Sequence, residues 1–432
     1  MRVDHVLDRL SEKGFAPRLA GFSALDRYCG FKPGPYRWVR SRADLADLSR
    51  LFLGLRFPGP SLADAAVDSD PSDDPAPAAA TDPAAAKAEN SRPGRTTWYL
   101  RCEESAEPED DDAAFPLLRF SWDASSRSYI DPGELYPIVR ALRDGIREGA
   151  SPRGKEFMDP APWYAAGAFR GSRGTTADAF KAASQAAVVL ARYRGAAPED
   201  EAGSRAVIAE VAAAVGRVDE GPAPSAEEQR ALLTVLLQSR RPDLGFDLLM
   251  RVGWVDAWWP ELAAMDDVDH SKEFHPEGNA WAHTLETFRY RKIADPVLSF
   301  GLLLHDVGKP LSEASGGRRF DRHAELGAAR ARTFLARLGF DDAFIADVSF
   351  MVRNHMMPAA LPRLPLTRSQ EVLESSLFPL LLELYRCDES SSFKGLEGFY
   401  ESCAAYRSYL RNVKNPYRSA DGKKMMRILF ER

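Results

Sequence analysis

The chain has 432 residues, of which 45% are hydrophobic and 28% are charged, an ordinary balance for a folded protein with core material for roughly two to four domains. Its net charge of −6 does not indicate a strongly basic nucleic-acid binder, although a local basic face is compatible with it. The four cysteines form no CxxC motif, which indicates reduced thiols. No stretch approaches the roughly 18 apolar residues of a membrane span, and the first residues have no apolar signal core. We therefore expect a cytoplasmic protein that makes no contact with membranes.

The first third of the chain has the pattern of a small α/β region with two acidic interruptions. Residues 1 to about 62 include a short helical pattern. The composition then changes, and residues 63–95 are rich in Ala, Asp and Pro. Such a segment cannot bury enough apolar surface to offset its loss of entropy on ordering, so we predict a disordered insertion within a domain. A second acidic loop, EPEDDDAA, precedes a stretch that predicts a β-hairpin with its turn at Asp123 to Ser126.

After this hairpin the pattern is almost wholly helical. Apolar residues recur at i, i+3 and i+4 in successive segments. Ser225 and Glu228 have the spacing of a capping box, which predicts a helix that begins at Ser225. Trp254, Trp258 and Trp259 follow at helical spacing beside Leu and Val. We expect them to lie in a core rather than to stack on nucleic-acid bases.

The histidines are concentrated in one region of the chain. Four of the seven fall in an ordered series with two aspartates, which reads His283, His305, Asp306, His323, His355 and Asp388. The apolar run Leu302–Leu304 leads into His305 and Asp306, and Gly308 and Pro310 then stop it, so the polar pair lies at the end of a buried helix. Neutral imidazole and carboxylate together suit a divalent transition metal that keeps water in its open positions. Each histidine by itself is also compatible with an ordinary core or surface residue.

The ordered series resembles the HD superfamily of metal-dependent phosphohydrolases, whose pattern is H…HD…D with extra histidines where two metals are bound. By that resemblance the ligands of the core are His283, His305, Asp306 and Asp388, and the added ligands of a dinuclear site are His323 and His355. The resemblance implies two ions bridged by Asp306, and such a ligand set accepts Mn, Fe, Co, Ni or Zn. It also implies that the metals activate a water molecule and neutralise phosphate oxygens.

The same resemblance assigns roles to charged neighbours of the series. Asp306 and Lys309 are the catalytic residues that it implies. Lys309 would also bind the substrate phosphate and stabilise the negative charge that develops on it in the transition state. Arg322 is a weaker candidate for substrate binding, with a solvated surface charge as the alternative. His270 and His275 lie just upstream, and we expect them on the surface near the entry to the domain.

The order of parts resembles the bacterial tRNA nucleotidyltransferase and poly(A) polymerase family, in which a catalytic head precedes a helical neck and body and then an HD domain. The stretch PDLGFDLLMRVGWVDAWWPELAAM, running into FHPEGNAWAHTLETF, is typical of members that carry an HD domain. Ile130–Pro132, after the hairpin, also fits the head of that family.

The head departs from this family at the positions that carry its chemistry. The family holds two Mg²⁺ ions with an Asp-x-Asp pair on a strand, after a Gly-Gly or Gly-Ser turn. Here the turn is Gly21–Ser23, and Tyr36 and Trp38 fall where the acidic pair is expected, although aromatic rings cannot ligate Mg²⁺. Asp44 and Asp47 fit solvated helix charges better than a strand pair. Three further family motifs are also eroded, at Asp112–Ala114, at Asp178, Lys181 and Ser184, and at Glu227, Glu228 and Leu232.

We therefore predict a mainly α multidomain protein with a small α/β head of nucleotidyltransferase type, a helical neck and body, and an all-α HD domain. The predicted boundaries are residues 1–134 for the head, 135–262 for the neck and body, 263–400 for the HD domain and 401–432 for a C-terminal helical tail.

The leading functional hypothesis is a metal-dependent phosphohydrolase whose head has lost polymerase activity. Its substrate would be a phosphomonoester, a phosphodiester, a 2′,3′-cyclic phosphate or a nucleotide. One alternative is a tRNA nucleotidyltransferase that adds nucleotides to RNA 3′ ends. Another is a non-catalytic protein that binds RNA or tRNA through basic stretches such as Arg170–Gly174 and RNVKNPYRSADGKKMMR. The sequence does not indicate an oligomeric state.

Overall fold

The structure, a computed structural model, describes most of the chain as two compact units. The described residues are 5–30, 36–57, 63–69, 96–103, 119–131, 136, 139–140, 143, 176–193, 201–218, 223–269, 278–314, 322–392 and 395–413. The first unit comprises residues 1–236 and 251–253, and the second comprises residues 237–250 and 254–432. The predicted fold class is confirmed, because the chain is mainly helical with one mixed sheet. None of the described helices combines the length and the apolar character needed to cross a bilayer.

The first unit contains a six-stranded mixed sheet. Its strands are β1 (Arg18–Leu19), β2 (Tyr36–Ser41), β3 (Ala65–Ser69), β4 (Thr96–Cys102), β5 (Ser121–Asp123) and β6 (Ser128–Ile130). They lie in the order β3-β4-β2-β1-β5-β6, with β2 and β4 parallel and the other neighbours antiparallel. The predicted hairpin is confirmed as β5 and β6, and the Asp123 carboxylate accepts hydrogen bonds from the backbone N–H groups of Ser125 and Ser126 in its turn.

Strand β3 corrects the predicted extent of the disordered insertion. The insertion was expected to begin at residue 63, whereas Ala65–Ser69 pair with β4. Ala65, Ala66 and Val67 are buried, and this short apolar run supplies the buried surface that Asp- and Pro-rich sequence lacks. The rest of the predicted insertion, residues 70–95, lies outside the described residues, as does the EPEDDDAA loop.

Six helices accompany the sheet among the residues that the structure describes in this unit. They are α1 (His5–Glu12), α2 (Gly21–Cys29), α3 (Leu45–Leu51), α4 (Thr176–Tyr193), α5 (Glu201–Val215) and α6 (Ala226–Leu237). Asp44 is the N-cap of α3 and forms a reciprocal capping box with Asp47, so both carboxylates stabilise the start of a helix. The predicted box at α6 is confirmed, since Ser225 N–H donates to the Glu228 carboxylate and Glu228 N–H donates to Ser225 Oγ.

The two faces of the sheet have different environments. One face carries the buried aliphatic side chains of Leu19, Val39 and Leu100. Side chains alternate along a strand, so Tyr36 and Trp38 share the opposite face of β2. Both pack on Tyr99 of β4, with ring centroids 5.7 Å apart in each pair, and on Ala231 of α6. The aromatic pair therefore packs between the sheet and α6.

A buried ion pair joins α2 to α4. Arg192 Nε donates to Asp26 Oδ1 over 2.6 Å, and the NH2 nitrogen of Arg192 donates to Asp26 Oδ2 over 2.8 Å. Tyr193 Oη donates a third hydrogen bond to Asp26 Oδ1 over 2.7 Å. Burial raises the pKa of Tyr193 well above its ordinary value, so this phenol keeps the proton that it donates. Asp26 thus accepts three hydrogen bonds from two residues in the interior of the first unit.

The second unit is almost wholly helical. Its helices are α7 (Pro242–Arg251), α8 (Trp254–Trp258), α9 (Pro260–Ala263), α10 (Ala280–Tyr290), α11 (Pro296–Leu304), α12 (Lys309–Ala314), α13 (His323–Arg337), α14 (Asp342–Asn354), α15 (Met357–Ala360), α16 (Leu366–Glu374), α17 (Phe378–Ser390) and α18 (Glu397–Val413), with a 3₁₀ turn at Leu361–Arg363. Trp254 and Trp259 are buried in its core, as predicted, and Trp258 is half-buried.

Candidate metal centre

Five helices of the second unit bring the six predicted ligand residues together. α10, α13 and α17 carry His283, His323 and Asp388, while α11 and α14 end at His305 and His355, and Asp306 follows α11 directly. Asn279, Asp295 and Asp341 cap the starts of α10, α11 and α14 by accepting backbone N–H groups. The N-caps fix where these helices begin. Packing along their apolar faces then fixes the positions of the ligand residues that they carry.

The two imidazoles at helix ends are held in one tautomer. His305 Nδ1 lies 2.8 Å from the carbonyl oxygen of Leu302, and His355 Nδ1 lies 2.7 Å from that of Val352. A carbonyl oxygen only accepts, so Nδ1 carries a proton in either charge state, and in the neutral imidazole Nε2 carries the lone pair. Burial, together with the charge of neighbouring His305, lowers the pKa of His355 to about 4. Neutral imidazole is the form that binds metals.

The first ligand group consists of His283, His305 and Asp388, whose ligand atoms all lie within 4.8 Å of one another. His283 Nε2 is 2.9 Å from Asp388 Oδ1. Ser391 Oγ lies 3.4 Å from His283 Nδ1 and donates to the Asp388 carbonyl oxygen over 2.7 Å. Burial alone would raise the pKa of Asp388, but the hydrogen bond with His283 outweighs it and keeps that pKa below its usual range. The carboxylate is therefore in the ionised form that ligates cations.

The second ligand group consists of Asp306, His323 and His355, whose ligand atoms also all lie within 4.8 Å of one another. Asp306 Oδ1 is 3.7 Å from His323 Nε2 and 4.0 Å from His355 Nε2. The two Nε2 atoms of His323 and His355 are 3.1 Å apart. Three ligand atoms thus converge on one point in each group, which leaves coordination positions for water or a further ligand.

Asp306 lies between the two groups. Its Oδ2 is 3.3 Å from His305 Nε2, a ligand of the first group, while its Oδ1 faces the second group. Lys309 Nζ donates to the same Oδ2 over 2.6 Å. Burial raises the pKa of Asp306, but the charges of His305 and Lys309 outweigh it and hold that pKa well below its usual range. The carboxylate is positioned to bridge two cations.

A pair of divalent transition metals fits these donors. Within the described part of the chain, His305 Nε2 is buried without a hydrogen-bond partner, and an unmet buried lone pair is costly. Imidazole nitrogen with carboxylate oxygen suits Mn, Fe, Co, Ni and Zn. Two neighbouring ions of this kind polarise phosphate oxygens and lower the pKa of bound water.

A glycine permits the close approach of two helices at this centre. A Cβ atom on Gly308 would lie 2.0 Å from the carbonyl oxygen of His323, 2.5 Å from Gly327 N and 2.8 Å from Gly327 Cα. All three are backbone atoms, so a rotamer change cannot relieve the overlap. Gly308 therefore sets the distance between Asp306 and the start of α13.

The structure also places the other residues that the sequence singled out. Lys309 is largely buried and faces Asp306, whereas Arg322 is exposed, with its backbone in the left-handed region immediately before α13. His270 and His275 lie outside the described residues. Sequence reasoning missed Ser391, whose spacing from Asp388 on one helix face was the only local signal for its contact with His283.

Comparisons with known proteins give partial matches. No model of a known protein family matches the chain. The CC-adding tRNA nucleotidyltransferase of Thermus thermophilus is 31% identical over 215 residues, which cover 48% of this chain and 49% of the relative. The A-adding tRNA nucleotidyltransferase of Deinococcus radiodurans is 32% identical over 207 residues, 45% of each chain. The Multifunctional CCA protein of Halorhodospira halophila is 31% identical over 173 residues, 39% of each chain.

The chain spans about half the length of the curated relatives it matches, or less. Among solved structures, the crystal structure of the Bacillus stearothermophilus CCA-adding enzyme in complex with CTP aligns with 94% of this chain and 81% of that chain, at 12% identity and a TM-score of 0.47.

These relatives support the resemblance to tRNA nucleotidyltransferases and correct the leading hypothesis drawn from the sequence. That hypothesis, a metal-dependent phosphohydrolase whose head has lost polymerase activity, is wrong, because relatives matching nearly half of the chain are named for adding nucleotides to tRNA. The error arose from the weight given to four eroded motifs of the head, of which Tyr36 and Trp38 form one. These few positions outweighed a similarity that is spread over some 200 residues.

Proposed function

We propose that the chain adds nucleotides to the 3′ end of tRNA. The observation that carries this proposal is its 31% identity over 215 residues with a CC-adding tRNA nucleotidyltransferase, supported by 32% identity over 207 residues with an A-adding one. In such a reaction the 3′ hydroxyl of the RNA attacks the α-phosphorus of a nucleoside triphosphate, and pyrophosphate leaves. Tyr36 and Trp38 do not supply the carboxylate ligands that Mg²⁺ requires, so other residues must neutralise the charge of the triphosphate.

This proposal predicts incorporation of labelled nucleotide into tRNA. Transcripts that end just before CCA, and transcripts that end in CC, are incubated with the purified chain, Mg²⁺ or Mn²⁺, and labelled CTP or ATP. Extension of the first transcript with CTP would assign CC addition, and a single AMP on the second would assign A addition. A mock purification from the same host controls for its own enzyme, and no extension of either transcript above that control would contradict the proposal.

We also propose that the second unit contains an HD-type metal centre within residues 263–400. The six residues of the two ligand groups would hold a pair of Mn, Fe, Co, Ni or Zn ions, with Asp306 between them. The convergence of ligand atoms within 4.8 Å and the unmet lone pair of His305 support this assignment. Lys309 and Arg322 would contact an anion bound at the metals.

Metal content tests the centre independently of any activity. We expect about two transition-metal ions per chain, measured by inductively coupled plasma mass spectrometry after dialysis. His305→Ala with Asp306→Ala should remove both ions, whereas His323→Ala alone should lose the ion of the second group and retain the first. His5→Ala, an exposed histidine of the first unit, is the matched control. Equal metal content in all four proteins would contradict the assignment.

A further inference from the structure

An aromatic cluster lies where α2 packs against the hairpin of β5 and β6. The ring centroids of Tyr28 on α2 and Tyr129 on β6 are 5.2 Å apart, and that of Phe120 lies 5.3 Å from Tyr28 and 5.2 Å from Tyr129. Tyr136 joins the cluster, with its centroid 5.5 Å from that of Phe120. Phe120 is buried, whereas the three tyrosines are half-buried. Three of these four rings therefore keep part of their surface at the solvent.

Exposed arginines surround the cluster. Arg27 Cζ lies 3.8 Å from the ring centroid of Trp122 on β5, the strand that pairs with β6. Arg140 Cζ lies 6.0 Å from the ring centroid of Tyr136, and Arg127 lies in the turn between β5 and β6. All three arginines are exposed. A guanidinium that rests on a ring face keeps the N–H donors at its edge, so these cations can bind a further partner.

The three exposed arginines form no ion pair with any residue that the structure describes. The carboxylates close to them in the chain have other partners. Asp26 is held in the buried ion pair with α4, Asp123 accepts backbone N–H groups of its own turn, and Asp131 accepts the backbone N–H of residue 136. In a chain of net charge −6, this surface is a local site of positive charge that attracts anions.

Arginines beside half-exposed aromatic rings match single-stranded nucleic acid, which offers anionic phosphates together with bases that stack. An acidic peptide offers the charge without the bases, and a duplex keeps its bases stacked on one another. We propose that this surface binds single-stranded RNA, with the arginines on phosphates and the tyrosine rings against bases. The choice of RNA over DNA rests on the proposed nucleotide addition to RNA 3′ ends. The members of the arginine–tyrosine surface are Arg27, Arg127, Arg140, Tyr28, Tyr129 and Tyr136.

The test is fluorescence anisotropy of the full chain with a labelled single-stranded RNA of about 12 nucleotides, in EDTA and over a series of salt concentrations. We expect Arg27→Gln, Arg127→Gln and Arg140→Gln each to weaken binding about threefold or more. Each should also reduce the steepness of the salt dependence by about 0.7, because one phosphate contact is lost. Tyr129→Leu should weaken binding about fivefold or more with unchanged salt dependence, since it removes a stacking ring but no charge.

Two matched controls separate this surface from general effects. Arg50→Gln removes the same charge from a side chain that is 74% exposed on α3 and should bind RNA as the parent does. Tyr129→Phe keeps the ring and should also bind as the parent does, which distinguishes stacking from a role of the phenol. Thermal unfolding of each variant checks its fold. The arginine variants change exposed side chains, so they test the surface even if Tyr129→Leu unfolds at a lower temperature.

Three outcomes would overturn the inference. The first is equal affinity and salt dependence in the parent and the three arginine variants. The second is equal affinity for the single strand and for a duplex of the same sequence. The third is competition by polyglutamate as strong as that by unlabelled RNA of equal charge, which would assign the surface to acidic peptides. Failure of the proposed function has a different signature, since the variants would then weaken RNA binding as expected while the parent adds no nucleotide to either transcript.

Discussion

Gly308→Ala is expected to destabilise the second unit by about 3 kcal/mol, at the upper end of overpacking effects, and to empty the ligand group formed by Asp306, His323 and His355. The added methyl group would overlap the carbonyl oxygen of His323 and the backbone of Gly327, so the start of α13 must move away from Asp306. Thermal unfolding would record the loss of stability, and metal analysis after dialysis would record the loss of about one ion per chain.

Gly301→Ala is the graded control for this variant. A Cβ atom there would meet side-chain atoms of Leu384 and Met351 at 3.1 Å, and side chains of this kind yield more readily than backbone. We expect a smaller loss of stability and an unchanged metal content. If Gly308→Ala retains its metal and unfolds at the parent temperature, the close approach does not determine the position of His323.

Asp26→Ala is expected to destabilise the first unit by about 3–5 kcal/mol, because it leaves the Arg192 guanidinium buried without its carboxylate. The phenol of Tyr193 loses its acceptor in the same step. Hydrogen exchange followed by mass spectrometry would show faster exchange in peptides that cover α2 and α4. Metal content should stay at the parent level, since the ligand residues all lie in the second unit.

Two companion variants define the mechanism of this loss. Combining Asp26→Ala with Arg192→Met should recover part of the stability, because no buried charge is then left without its partner. Asp47→Ala, which removes half of an exposed capping box on α3, should cost only about 1 kcal/mol. A similar cost for Asp26→Ala and Asp47→Ala would contradict a structural role for the buried pair.

Features with a short-range signal were predictable from the sequence. The capping box of Ser225 and Glu228 depends on a spacing of three residues, and the burial of Trp254 and Trp259 depends on helical periodicity. In both cases the residues that interact, or the pattern that positions them, lie close together in the chain. The grouping of the histidines and aspartates followed instead from the resemblance to the HD superfamily, since His283 and Asp388 are 105 residues apart.

Where no such resemblance exists, features that depend on the meeting of distant segments were not predictable. Asp26 and Arg192 are 166 residues apart, and neither has a neighbour that indicates its partner. Arg18, Arg40 and Arg101 lie side by side only through the register of three strands, since a shift by one residue would send Arg40 to the opposite face. The predicted insertion begins too early in the chain. Ala65–Ser69 is too short to show the alternation of buried and exposed side chains that identifies a strand, and only its pairing with β4 reveals it.

The position of His305 and His355 at the ends of α11 and α14 has an electrostatic consequence. A helix C-terminus carries about half a negative charge from its aligned peptide dipoles, and two such ends point their last turns at the ligand groups. Together they contribute about one negative charge in addition to the carboxylates of Asp306 and Asp388. Backbone polarity would therefore favour dications over monovalent ions here, and two bound dications would reverse the sign of the local potential that an anionic ligand meets.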